Sequence, residues 1–229
     1  MKKFELTNEF IANRFGTKLF RIRALVEFGD VEAGELGGYV EKESNLGHDD
    51  NAWVYGDAQV SGDALVYDNA RVYGNARVYG DAQVSGDARV YGNAWVYGNA
   101  RVYGDALVYD NARVYDNAWV YGDAQVSGDA LVYGNARVCG DARVCGNGDY
   151  AYAHGFGSVN RTTTFFRLKD GGVGVRCGCF YGTLAQFRDK IRETHGETKK
   201  AQEYLMLADL MELRFEEDEN EVGNRKYVE

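Results

Sequence analysis

The chain of 229 residues carries 26 Lys and Arg against 35 Asp and Glu, a formal charge of −9. That balance argues against general nucleic-acid binding, while leaving room for a local basic pocket. No apolar run is long enough to span a bilayer, and Met1-Lys2-Lys3 leads into amphipathic sequence rather than an apolar signal core, so the expectation is a cytoplasmic protein with four reduced cysteines.

Residues 1–36 contain a predicted strand over Lys18–Val26 and are expected to form an N-terminal β cap. A coil end left open would be an edge for aggregation. Residues 37–149 are expected to form a left-handed parallel β-helix of about six coils. Ala recurs at every sixth position from Ala52 to Ala142, and Val follows each Ala by two, from Val54 to Val144. This makes sixteen hexads of the form Ala-x-Val-(Tyr/Ser/Cys)-(Gly/Asp)-(Asp/Asn) without insertion. Alternation places Ala and Val on one face of a short strand, with x and Tyr on the other. Gly or Asp followed by Asp or Asn then supplies a turn at low backbone cost.

A single unit cannot bury its Val. Three can close a triangular coil, and stacked coils bury a continuous Val/Ala column. Gly38-Tyr39-Val40 and Ser44-Asn45-Leu46 fit the same frame upstream of a two-residue insertion. Six coils at about 4.8 Å give a column roughly 29 Å long. Residues 51–78 and 117–144 match at 25 of 28 positions, an offset of eleven hexads. Eleven is not a multiple of three, so copied side chains fall on different faces, as growth by duplication of an array would produce.

Residues 150–229 are expected to form a small α+β domain. Thr162–Tyr181 reads as a hairpin turning at Lys169–Gly172. Thr183 with Gln186 makes a capping box for a helix over Leu184–His195, ended by Gly196. A second helix is expected over Lys199–Phe215, with Tyr204, Leu207, Ala208, Met211 and Phe215 on one face. Glu216–Glu221 reads as a solvated acidic tail.

The hexads resemble those of the left-handed β-helix hexapeptide transferases. Arg21–Leu25 with Phe28–Val40 resembles the N-terminal lead-in of YdcK-like hexapeptide proteins, which are labelled putative transferases or polymer-forming proteins and are frequent in phage genomes. The transferase resemblance implies a catalytic His and extruded loops. The sixteen hexads contain neither.

His154 is the candidate for a general base, weighed against a cap role, and His195 reads as a helix-terminal residue favoured by the dipole. Three converging His ligands, as a trimeric carbonic-anhydrase site requires, are not assembled. Cys139 and Cys145 lie in consecutive hexads and point apart. The pair Cys177 and Cys179 supplies too few ligands for zinc.

Two outward features remain. Tyr73 and Tyr91, with Tyr55 and Tyr109, are expected to stack on one face; Tyr97 and Tyr115, with Tyr79 and Tyr133, on the next. Arg71, Arg89, Arg77 and Arg113 lie beside them. Such ladders stabilise a sheet. Their aromatic area also points to a homo-oligomer, with a trimer favoured, and ring beside guanidinium suits a nucleotide-like ligand. At one corner Asp87, Asp105, Asp123 and Asp141 stack as solvated turn residues or, alternatively, as cation ligands.

The reading is a non-catalytic, oligomeric binding protein of phage type that sequesters a small anionic, nucleotide-type signal or a host partner. It needs no cofactor. An acyl or nucleotidyl transferase and a purely structural scaffold are the alternatives.

Overall fold

The computed structural model describes residues 2–13, 16–157 and 161–216. The acidic run expected at Glu216–Glu221 lies, from residue 217 onward, outside the described residues. Two compact units emerge, residues 1–147 and 148–229.

In the first unit each hexad makes one strand of two or three residues, sixteen in all, from β4 (Trp53–Val54) to β19 (Arg143–Val144). Strands eighteen residues apart pair in parallel throughout; Arg89 and Val90, for example, face Leu107 and Val108. Three sheets result. The first face carries the strands that begin at Gln59, Arg77, Trp95, Arg113 and Leu131. The second carries those at Trp53, Arg71, Arg89, Leu107, Gln125 and Arg143, and the third those at Leu65, Gln83, Arg101, Trp119 and Arg137.

All sixteen Ala and all sixteen Val of the frame are fully buried. Burial of each Val contributes roughly 1.5–3 kcal/mol, so the column is the main driving force of this unit. Backbone ladders complete it: Arg77 donates its N–H to the Ala94 carbonyl at 2.9 Å, and Tyr79 to that of Val96 at 3.0 Å.

The corners need left-handed backbone. Gly supplies it at most of them, as at Gly86 (φ +66°), and Asp68, Asp110 and Asp116 supply it at φ 57–58°. Those carboxylates accept the N–H of the next coil: Asp68 from Gly86 at 3.0 Å, Asp110 from Gly128 and Asp116 from Gly134, both at 3.3 Å. A Cβ on Gly86 would sit 2.8 Å from the Gly104 nitrogen. Gly86→Ala is therefore expected to cost about 1–2 kcal/mol from the left-handed region alone. Gly86→Asp should cost less, because its carboxylate can accept that N–H. Urea unfolding of the two variants checks the order, and equal losses would refute the capping role.

The N-terminal cap is an antiparallel sheet of β1 (Phe4–Ala12), β2 (Lys18–Ala24) and β3 (Leu36–Val40). β3 passes directly into the first face, with Tyr39 opposite Gln59 and Val40 opposite Val60, and Leu46 bridges Val66. Both upstream hexads thus join the solenoid, giving about six turns.

Two expectations change here. β1 has no counterpart in the sequence reading, because a register shift between Leu6 and Phe10 breaks its alternation. Trp53, in an outward x position, is fully buried: Phe4 and Phe28 of the cap close over it edge-on, at 6.1 and 5.3 Å.

Lys3 is also covered by the cap. It donates to the carbonyls of Ala52 (2.9 Å) and Asp50 (3.3 Å) and lies over the Phe28 ring. Burial pulls its pKa down to about 8. In the opposite sense, burial pushes Tyr91 up to about 12 and raises Tyr55, Tyr97 and Tyr115. Between about pH 8 and pH 10 the unfolded chain holds the Lys3 proton that the folded chain has lost, so stability rises with pH, by up to about 3 kcal/mol. Above about pH 10 unfolded tyrosines ionise before folded ones, and that contribution is lost as pH climbs through the folded values. Thermal unfolding across this range should show a maximum near pH 10, and Lys3→Met should remove the rising limb. A rise that persists in Lys3→Met would contradict the assignment.

The second unit is a four-stranded antiparallel sheet, β20 (Tyr150–Phe156), β21 (Arg161–Arg167), β22 (Val173–Cys177) and β23 (Phe180–Thr183), in sequential order. The hairpin expected over 162–181 is therefore part of a larger meander, to which Tyr150–Phe156 adds a strand. Helices α1 (Leu184–His195) and α2 (Lys199–Phe215) have the expected bounds. Thr183 and Gln186 form the reciprocal cap, at 2.9 and 3.3 Å. Phe165, Val175, Phe187, Ile191, Tyr204 and Met211 make the core, with Leu207 only partly buried at its margin.

Candidate functional site

Outward side chains at equivalent hexad positions stand one strand spacing apart, so identical rings stack. Tyr73 lies 4.8 Å from Tyr91 with planes 2° apart, and Tyr91 lies 4.9 Å from Tyr109. After the first face, Tyr97 is 4.9 Å from both Tyr79 and Tyr115, and Tyr115 is 5.3 Å from Tyr133. Both predicted columns are present except that Tyr55 stands edge-on to Tyr73, at 6.5 Å with planes 89° apart, and stacking covers much of the other ring faces.

The arginines divide by partner. Arg71 forms an ion pair with Asp30 of the cap at 2.9 Å, and the Tyr55 hydroxyl donates to the same carboxylate. Arg89 is exposed on the second face. On the first face Arg77 and Arg113 lie on either side of Trp95, with guanidinium carbons 5.2 and 5.0 Å from the ring centre. Neither has a carboxylate partner among the described residues. Stacking on Trp restrains a long side chain without neutralising it.

Trp95 was not singled out in the sequence. Its signal is an aromatic x residue with Arg eighteen positions to each side.

Beside this stack is a groove of about 310 Å³, lined by Ala12, Asn13, Gln59, Ser61, Arg77, Val78, Tyr79 and Trp95. Its origin is local. Ser61 occupies the position below Tyr79 in the ring column, and a hydroxymethyl group there leaves space that a ring would fill. The end of the β1–β2 hairpin, at Ala12 and Asn13, forms the opposite wall. The groove offers a guanidinium, two carboxamides, a hydroxyl and the Tyr79 ring, which suits a small planar anion, while both faces of Trp95 are taken by Arg77 and Arg113. Of the residues expected to bind ligand it contains Arg77. Arg113 and Tyr97 lie just beyond it, Tyr115 is further along the same face, and Arg71, Tyr73, Arg89 and Tyr91 belong to the second.

No histidine lines this groove. His48 stacks on Phe4 at 4.5 Å and pairs with Glu43 at 2.9 Å, as part of the cap. His154 is exposed on β20, with Nδ1 2.9 Å from the Thr162 hydroxyl. His195 ends α1 and stacks on Tyr204. None of the four cysteines is in a disulfide, and Cys139, in an outward Tyr position, is buried. Asp87, Asp105, Asp123 and Asp141 are exposed at their corner. Among the described residues no group of three or more His, Cys, Asp or Glu gathers closely enough to hold a metal ion, and no helix is long and apolar enough to cross a membrane.

A family model described as the YdcK β-solenoid repeat matches residues 58–71, 70–84, 82–98, 94–109, 106–122 and 124–140. No curated protein matches the chain.

Proposed function

We propose that this chain, a β-solenoid repeat protein of the YdcK type, is a non-catalytic binding protein that holds a small nucleotide-type anion in the Arg77–Tyr79–Trp95 groove. The observation that carries the reading is the guanidinium itself. Arg77 is fixed against Trp95, has no carboxylate partner among the described residues, and lines a space large enough for a nucleotide moiety. Phosphate would bond the guanidinium, and a base would lie in the space left by Ser61.

Calorimetric titration with cyclic dinucleotides, ADP-ribose and nucleoside monophosphates tests this reading. A phosphorylated ligand should release heat where its uncharged nucleoside does not. Absence of heat from the whole panel would remove the proposal.

A homo-oligomer, trimeric as the outward Tyr columns led us to expect, belongs to the same proposal. Light scattering should then give three times the 25.5 kDa chain mass. So does a cytosolic, phage-encoded role in sequestering a host signal, which rests on the family resemblance. The transferase alternative places its base at His154. Acyl transfer measurable in the wild type and lost in His154→Ala would favour that alternative.

A further inference from the structure

The third face carries a second groove, of about 300 Å³, lined by Asn99, Arg101, Asn117, Trp119, Asn135 and Arg137. Its centre repeats the arrangement of the first face: Arg101 and Arg137 lie on either side of Trp119, at 5.1 and 4.7 Å from the ring centre. The three residues occupy adjacent parallel strands in register. At about 4.8 Å per strand, the two guanidiniums are held about 10 Å apart along the column. Arg101 has no carboxylate partner among the described residues.

The corner beside them distinguishes this groove from the rest of the surface. At the corner preceding the first face, Asn75 donates to Asn93 at 3.3 Å, Asn93 to Asn111 at 3.2 Å, and Asn111 to Asp129 at 3.2 Å. Those side chains are engaged in a ladder along the solenoid. Asn99, Asn117 and Asn135 have the same eighteen-residue spacing, yet none of their side-chain amides has a hydrogen-bond partner among the described residues. Each therefore presents both a donor and an acceptor to the groove. Both faces of Trp119 are covered by guanidinium, so a nucleobase finds no ring to stack on here. A chain bearing hydroxyls finds a row of amides, and acidic groups about 10 Å apart find a cation at each end.

We infer that the third face is a separate site for a linear, hydroxyl-rich oligoanion of the acidic-oligosaccharide class, lying along the column with acidic groups on Arg101 and Arg137 and hydroxyls on the three Asn amides. This site is independent of the nucleotide groove and stands whether or not that groove is occupied.

The test is calorimetric titration of the full chain with uronic-acid oligosaccharides of increasing length, alongside neutral oligosaccharides and inorganic polyphosphate of similar length. Affinity should rise by about tenfold or more once an oligomer spans both arginines, since the second contact becomes intramolecular. The double variant Arg101→Gln/Arg137→Gln should lose at least about tenfold, and Asn117→Ala about threefold or more. Asn75→Ala, which alters only a ladder, should leave the affinity within about twofold. Circular dichroism shows whether each variant keeps its fold, and Asn117→Ala keeps the test open should the double variant fail to fold. Absence of oligouronate binding, affinity independent of length, or equal binding of polyphosphate unaffected by Asn117→Ala would each overturn the assignment.

Discussion

Replacing Val102 by Asp is expected to unfold the solenoid unit at room temperature or to cost it more than about 4 kcal/mol. Val102 is fully buried on the third face, in register between Val84 and Val120. An Asp there loses the burial of an aliphatic side chain and places a carboxyl group where only Val and Ala side chains surround it. The group either stays ionised without a partner or takes up a proton, and both are costly. One residue away, Arg101 points outward, and Arg101→Asp should change stability by less than about 1 kcal/mol. The contrast between neighbours tests the inward and outward assignment of the whole array, because a strand of period two allows no intermediate placement. Urea unfolding followed by circular dichroism reads it. Comparable losses for the two variants would mean that the Val column is not the core.

The second large effect concerns binding. Arg77→Glu is expected to weaken the nucleotide-type ligand by about 100-fold or more. A charge-assisted hydrogen bond to phosphate contributes roughly 1.5–3 kcal/mol, and reversing the charge adds repulsion in a partly enclosed groove. Each 1.4 kcal/mol is about tenfold in affinity. Arg113→Glu, across Trp95 from the groove, should cost about tenfold, chiefly by releasing the ring that fixes Arg77. Titration of both variants against the ligand found in the panel decides the matter. Equal effects, or none from Arg77→Glu, would show that the groove is not where the anion binds.

What the sequence made legible follows from strict periodicity. Ala52 to Ala142 and Val54 to Val144 leave a single way to bury sixteen valines, and the Tyr columns follow from the same eighteen-residue coil. Helix α1 was equally readable, because Thr183, Gln186 and Gly196 are local signals. Features made by distant segments meeting were not legible. Trp53 has the same hexad position as Trp95 and Trp119, and only the cap residues Phe4 and Phe28 make it a core residue. Arg71 looked like Arg77 until Asp30 paired with it. The groove depends on residues 12 and 13 coming to lie against Ser61 and Tyr79, a juxtaposition no spacing rule contains. β1 and β20 were missed for a related reason: a register irregularity in each, at Leu6/Phe10 and at His154/Phe156, interrupts the alternation that marks a strand.

The most direct test of the binding account is hydrogen exchange of the full chain with and without the phosphorylated ligand that gives the largest heat. The account predicts slowed exchange at the amides around Ala12–Asn13, Gln59–Ser61 and Arg77–Tyr79, with exchange in β20–β23 and the two helices unchanged. Protection confined to the C-terminal unit, or spread evenly over all three faces of the solenoid, would contradict it.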